Sequence, residues 1–145
     1  CHVTAFTSSK DKDNNIVDLG ADRILSSVDS DEIKKNASSF DFIISTVNVK
    51  LDWDLYLSII KPRGRLHFVG AVLDKIDTSV FSLMGGRRSI SGSPVGSPKN
   101  IKKMLDFCVD HNIYPDVDNF KFNDINTAIK KLRENKVRFR VVLTW

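Results

Sequence analysis

The sequence holds 145 residues, the size of one domain, with 22 Lys and Arg against 18 Asp and Glu and a formal net charge of +4. At 41% hydrophobic and 28% charged its composition is neither disordered nor fibrous, and apolar runs such as Phe42-Ile43-Ile44 are far too short to cross a bilayer. Two cysteines, Cys1 and Cys108, exclude a disulfide scaffold and fall short of a four-ligand zinc cluster. No secretory or transit signal leads the chain, so a cytoplasmic location is expected. It opens on Cys1-His2-Val3-Thr4 rather than Met, as expected of a processed product or a piece of something longer.

The charge is uneven. Residues 1–72 carry nine basic and ten acidic groups, and residues 73–145 carry thirteen and eight. A basic half can meet nucleic acid or a phosphorylated ligand. No aromatic-rich or zinc motif accompanies the charge, so neither nucleic acid nor membrane is expected as a partner. Lys102, Lys103, Lys130 and Lys131 read as solvated helix faces.

In chain order, residues 1–8 read as a strand, with Val3, Ala5 and Phe6 apolar and Thr4 and Thr7 β-branched. After a polar stretch, Ile16, Val17 and Leu19 form a helical turn that stops at Gly20. Residues 21–25 form a short strand, and Ser30-Asp31-Glu32 caps a brief helix containing Ile33 and Ala37. Residues 40–47 form the best strand. Its run Phe42-Ile43-Ile44 is expected to be covered on both faces.

Asp52 or Asp54 caps the next helix, which carries Trp53, Leu55, Leu57, Ile59 and Ile60 and ends in a turn at Lys61-Pro62-Arg63-Gly64. Residues 66–72 and 88–92 are further strands. Strands alternating with helices mean crossover units and a parallel sheet, an α/β fold. The rest reads differently. Ser97 caps a helix with Pro98 in its first turn, and Ile101, Met104, Leu105, Cys108 and Val109 share one face. Asn123 or Asp124 caps a second helix with Ile125, Ala128, Ile129 and Leu132, and residues 138–145 form a last strand.

A doubly wound sheet binds nucleotides at the carboxyl ends of its strands. The first strand here ends in Thr7-Ser8-Ser9, with Lys12 three residues on. An acidic residue there would accept from a ribose 2′-hydroxyl and repel a 2′-phosphate. Two hydroxyls and a lysine offer donors and positive charge instead. A polar strand-to-helix turn would look the same. Phe68-Val69-Gly70-Ala71 and Gly92-Ser93-Pro94-Val95-Gly96 end two other strands, and their glycines admit a flat ring close to the backbone or merely serve ordinary turns. The phosphate-binding pattern G-x-G-x-x-G is absent; Gly85-Gly86 lacks its spacing.

Six segments in order, VTAFTSSKDK, LGAD, FDFIISTVN, KPRGRLHFVGAV, GRRSISGSPVGSP and LRENKVRFRVVLTW, resemble the C-terminal part of zinc-type medium-chain alcohol dehydrogenases, nearest the cinnamyl-alcohol-dehydrogenase branch. The resemblance runs from Val3 to Trp145, essentially without gaps. It implies a partial Rossmann-like doubly wound parallel sheet over residues 1–92, lacking the first strand and the glycine-rich loop. Residues 93–145 would return to the catalytic domain.

The resemblance implies NADP as coenzyme. Ser8, Ser9 and Lys12 would hold its 2′-phosphate. Thr46 and Val47 would border the adenosine ribose and the bridge to the nicotinamide. Val69, Gly70 and Ala71 would line the nicotinamide side, backbone groups of Ser93 and Val95 would meet its carboxamide, and Arg140 would reach the pyrophosphate. The strand 88–92 would be the edge that pairs with a second subunit, giving a homodimer.

The family's catalytic and structural zinc ligands lie in motifs that this sequence does not contain. His2, His67, His111 and the two cysteines are far apart, and His67 reads as a core or edge histidine. The expected parent is an NADP-dependent zinc alcohol dehydrogenase or aldehyde reductase acting on a small-molecule alcohol or aldehyde. Zinc in the parent protein would polarise the substrate oxygen, and these residues would supply the coenzyme side and no catalytic residue. Alone they are expected to be inactive. The alternatives are a non-catalytic nucleotide-binding or dimerisation module, and a zinc-free quinone-reductase relative, against which SGSPVGSP and VRFRVVLTW argue.

Overall fold

The computed structural model describes residues 1–8, 13–134, 136–137 and 140–145, the side chains of residues 13 and 14 excepted. Strand β1 (Thr4–Thr7) leads through helix α1 (Asp13–Asp18) to β2 (Arg23–Ser26), which pairs parallel to β1 with Thr4 opposite Arg23. Gly20 closes this connection at φ +96°, a left-handed conformation that costs glycine little. Helix α2 (Ser30–Lys34) follows. Its cap is Asp29, whose carboxylate accepts from the backbone N–H groups of Asp31 and Glu32 at 3.0 and 2.9 Å. Ser30 is therefore already helical rather than part of the cap, and Ala37 lies beyond the helix on the surface.

Strand β3 (Phe40–Ser45) is followed by α3 (Trp53–Ser58), capped by Asp52, which accepts from Leu55 N at 3.0 Å. The helix ends earlier than its apolar residues suggest, because Ile60 already pairs with Phe40 and opens β4 (Ile60–Phe68). Lys61-Pro62-Arg63-Gly64 is thus an irregular stretch within a strand and not a turn that ends a helix. The register jumps so that Phe42 faces Arg65, and this bulge absorbs a proline that has no N–H to give. Arg63 takes φ +66° there. A Cβ on Gly64 would stand 2.7 Å from the Asp41 carbonyl, so the bulge needs glycine for space.

Strand β4 stops at Phe68, short of residue 72, because the N–H groups of Val69 and Gly70 both donate to Ser45 O at 3.0 Å and fold the chain over the end of β3. Helix α4 (Val80–Met84), capped by Ser79, was not legible in the sequence. Strand β5 (Ser89–Gly92) pairs parallel to β4, giving a three-stranded sheet in the order β3-β4-β5. Leu57, Ile59, Ile60 and Leu66 are wholly buried in its core, joined by Ile33 and Trp53.

The strands form an α/β, doubly wound, all-parallel arrangement. In the common order 3-2-1-4-5-6, pairs 3-2 and 4-5-6 flank a first strand. Here β2-β1 and β3-β4-β5 occupy those flanking places, and a cleft separates β1 from β3. The expectation that Phe42-Ile43-Ile44 is covered on both faces fails. Ile43 is buried, while Phe42 and Ile44, which line the cleft beside β1, are 48% and 56% exposed.

The chain divides into two compact units, Cys1–Val95 and Gly96–Trp145. The second unit holds helix α5 (Pro98–Asp110), β6 (Asp118–Lys121), a 3-10 turn (Phe122–Asp124), helix α6 (Ile125–Arg133) and β7 (Val141–Thr144). Ser97 caps α5 by accepting from Asn100 N at 3.3 Å, with Pro98 in the first turn. On its apolar face Met104 and Leu105 are both more than half exposed. Asp124 sits at the N-cap of α6 without a side-chain capping bond, because the 3-10 turn runs directly into the helix. Strand β6, unread in the sequence, pairs parallel to β7. Of the expected last strand, residues 138–139 lie outside the described residues.

Candidate functional site

The cleft between β1 and β3 has a volume of about 820 Å³. Val3, Ala5 and Phe6 form one wall, and Phe42 and Ile44 the other. Phe6 reaches across its base to Phe40 and Tyr56, at ring-centroid distances of 5.7 and 5.5 Å. Three lining residues carry buried polar atoms that meet no hydrogen-bond partner among the described residues: Ser45 Oγ, Trp53 Nε1 and Tyr56 OH. A buried orphan of this kind costs free energy unless a further group meets it. Burial also pushes the Tyr56 phenol above its ordinary pKa, which keeps it a neutral donor.

The chain runs in opposite senses away from this cleft, from β1 out to β2 and from β3 out to β4 and β5. The carboxyl ends of β1 and β3 therefore flank the topological switch point of the fold, outside which open α/β folds bind ligands. Ser8, Thr46 and Val47 all line the cleft. Ser8 is exposed at the end of β1, and the preceding Thr7 carbonyl accepts from Ser27 N at 2.8 Å.

The loop after β4 crosses the end of β3. Gly70 packs against the Thr46–Val47 peptide so closely that a Cβ would stand 2.7 Å from Thr46 O and nearer still to Val47 O. Thr46, Val47, Val69, Gly70 and Ala71 are thereby gathered at one end of the sheet. Beside them, Ser93 N donates to Phe68 O at 3.1 Å and carries the β5 ladder one residue further. Val95 is 86% exposed. The expected residues Ser9 and Lys12 lie outside the described residues. Arg140 belongs to the second unit, where its carbonyl accepts from Asp118 N at 2.9 Å.

The open face of the sheet carries contacts that sequence reading missed. Arg65 Nε donates to Ser89 Oγ at 3.3 Å, and both ring nitrogens of His67 meet serine hydroxyls. His67 is therefore partnered at the sheet surface and not packed in the apolar core. The available signal was a Ser-x-Ser pair on a strand adjoining one that carries a histidine. Among the described residues no group of three or more His, Cys, Asp or Glu side chains could hold a metal ion, so they assemble no zinc site. No described helix is long and apolar enough to cross a membrane.

A family model described as zinc-binding dehydrogenase matches residues 1–110. An aldehyde reductase of Synechocystis, AdhA, is 51% identical over 144 residues, covering 99% of this chain and 43% of the relative. A cinnamyl alcohol dehydrogenase from Sorghum bicolor superimposes with a TM-score of 0.89 at 34% identity, over 98% of this chain and 40% of that one. A cinnamyl alcohol dehydrogenase from Helicobacter pylori, complexed with NADP(H), gives a TM-score of 0.78 at 31% identity, over 98% and 40%. The chain thus spans about two fifths of the length of these proteins.

Proposed function

Because this chain belongs to the zinc-binding dehydrogenase family, in its cinnamyl-alcohol-dehydrogenase-like branch, we propose that it forms the coenzyme side of an NADP(H)-dependent alcohol dehydrogenase or aldehyde reductase. The observation that carries this reading is the convergence of Ser8, Thr46 and Val47 on one cleft at the switch point, with Gly70 packed against the Thr46–Val47 peptide. The cleft lies where the common strand order places a first strand between β1 and β3, and the hydroxyls that would meet a ligand stand at its rim, at the carboxyl ends of those strands.

In this reading Ser8, Ser9 and Lys12 receive the 2′-phosphate, and Thr46 and Val47 border the ribose. Val69, Gly70 and Ala71 flank the nicotinamide, the backbone of Ser93 and Val95 meets its carboxamide, and Arg140 serves the pyrophosphate. The bound coenzyme supplies or takes the hydride exchanged with the carbon of an alcohol or aldehyde. The chain binds and orients it, and the described residues carry no catalytic metal ligand set. In this reading residues 1–92 are part of the dinucleotide-binding domain, residues 93–145 return to the catalytic domain, and these 145 residues alone are inactive. The outer edge of β5 pairs with a second copy to make a homodimer, since an open strand edge seeks a partner. A cytoplasmic location accords with this reading.

Titration of NADPH and NADH against the chain tests the assignment. Ser8→Asp or Lys12→Glu places negative charge where the 2′-phosphate binds. Either change is expected to shift the ratio of the two affinities toward NADH by about 1.5–3 kcal/mol, the scale of a hydrogen bond to a charged group. An unchanged ratio removes the NADP assignment.

A further inference from the structure

The imidazole of His67 bridges two strands. Its Nδ1 lies 2.8 Å from Ser91 Oγ, directly opposite on β5, and its Nε2 lies 3.0 Å from Ser93 Oγ. The ring stacks on Phe42 of β3 at a centroid distance of 5.9 Å and an interplanar angle of 26°. Three successive strands therefore hold one side chain. In the neutral ring one nitrogen accepts from a serine hydroxyl and the other donates to the second, so both bonds are made at once.

Ser91 sits inside β5, but Ser93 lies beyond it, in the segment that leaves the sheet unit at Val95. The backbone tie from Ser93 N to Phe68 O holds one side of that residue, and the His67 bond holds its hydroxyl. Pro94 has no N–H and Val95 projects into solvent, so the path of this segment rests on Ser93.

We propose that His67 is a positioning residue that clamps Ser93 and so sets the segment Ser93–Val95 that meets the carboxamide end of the coenzyme. The clamp rests on the coenzyme reading for its consequence and on β4 and β5 for its geometry. Its ligand specificity follows directly. It acts on the nicotinamide half of NADP(H) and leaves the 2′-phosphate half untouched.

The test compares NADPH with 2′-phospho-ADP-ribose, which lacks the nicotinamide, on the whole chain by calorimetry. His67→Phe keeps a ring to stack on Phe42 and loses both hydrogen bonds. It is expected to weaken NADPH binding about fivefold, the worth of one net hydrogen bond, and to leave 2′-phospho-ADP-ribose unchanged. Ser93→Ala, at an exposed site, is expected to reproduce that loss, and the double variant to add nothing further. His67→Gln, whose amide nitrogen reaches toward the Nε2 position, restores NADPH binding, whereas His67→Asn, which reaches only toward Ser91, does not.

Equal weakening of both ligands, or additive effects of His67→Phe and Ser93→Ala, overturns the clamp. If the unmodified chain binds neither ligand, the coenzyme reading falls and the clamp is judged by nitrogen NMR. Ser91→Ala and Ser93→Ala must then each move the ring-nitrogen resonances of His67, and His67→Phe must move the Ser93 and Val95 amide resonances. Unmoved resonances refute it.

Discussion

The sharpest test of the site's architecture is Gly70→Ala. Glycine is needed there for space, since its φ is not positive. A Cβ would stand 2.6 Å from Thr46 C and 2.7 Å from Thr46 O, more than half an ångström inside ordinary contact. Both neighbours are backbone atoms, and the N–H groups of Val69 and Gly70 pin the same loop to Ser45 O at 3.0 Å. The loop cannot rotate away cheaply, so either those hydrogen bonds lengthen or β3 and β4 part at their ends. Overpacking of this kind costs about 1–3 kcal/mol. For a chain of this size that lowers the melting temperature by roughly 3–10 °C.

Gly92→Ala is the internal control, because its Cβ would meet Phe68 O at 3.4 Å, an ordinary contact. It is expected to be neutral or to stabilise by about 0.4–1 kcal/mol through the unfolded chain. Thermal and urea unfolding of both variants measure the difference, and NADPH titration reads its effect on the site. A Gly70→Ala chain that melts with Gly92→Ala would refute the close packing of the two loops.

Leu57→Ala removes a wholly buried side chain of α3 and should cost about 2–5 kcal/mol, read as a lower urea midpoint with an unchanged slope; a loss below 1 kcal/mol contradicts the core assignment. Asp54 is held below its ordinary pKa by the Thr78 hydroxyl and then by Ser82, partly opposed by desolvation, with the backbone N–H of Ser79 adding a smaller lowering effect. A depressed carboxyl contributes stability that is present above its unfolded pKa and lost as pH falls through its folded one. Asp54→Asn should therefore melt below the parent chain at pH 6, with the gap closing on acidification below about pH 4. A gap constant from pH 6 to pH 2 would show that the carboxylate's charge is not what holds residues 78–79.

Much of the fold was legible because local chemistry decides it. Ser97-Pro98 starts a helix wherever it stands, since the hydroxyl and the missing N–H suit a helix N-terminus. Gly20 ends a connection because its left-handed φ suits glycine. The hydroxyls after β1 and the glycine after β4 suit ordinary turns as well as a nucleotide site, and it was the resemblance that implied a coenzyme.

What misled the reading was pairing. Residues 61–64 look like a turn, and Pro62 and Gly64 make them one in isolation. They stay in β4 because a neighbouring strand accepts a bulge there, and no local signal carries the register of a partner. Phe42 and Ile44 read as buried because the run is apolar. Whether an apolar residue is covered depends on which elements lie over its face.

The sequence by itself determined the α/β alternation, the chemistry of the strand ends and the family, because composition, caps and motif order are properties of neighbours along the chain. Only the tertiary structure decided that Ser8, Thr46 and Val47 share one cleft, that Gly70 lies on the Thr46–Val47 peptide, and that His67 joins Ser91 to Ser93. The last two depend on parallel pairing between residues 20 to 24 positions apart, whose register is set by the packing of strand against strand and helix against sheet, and the first on how the unpaired strands β1 and β3 are held apart.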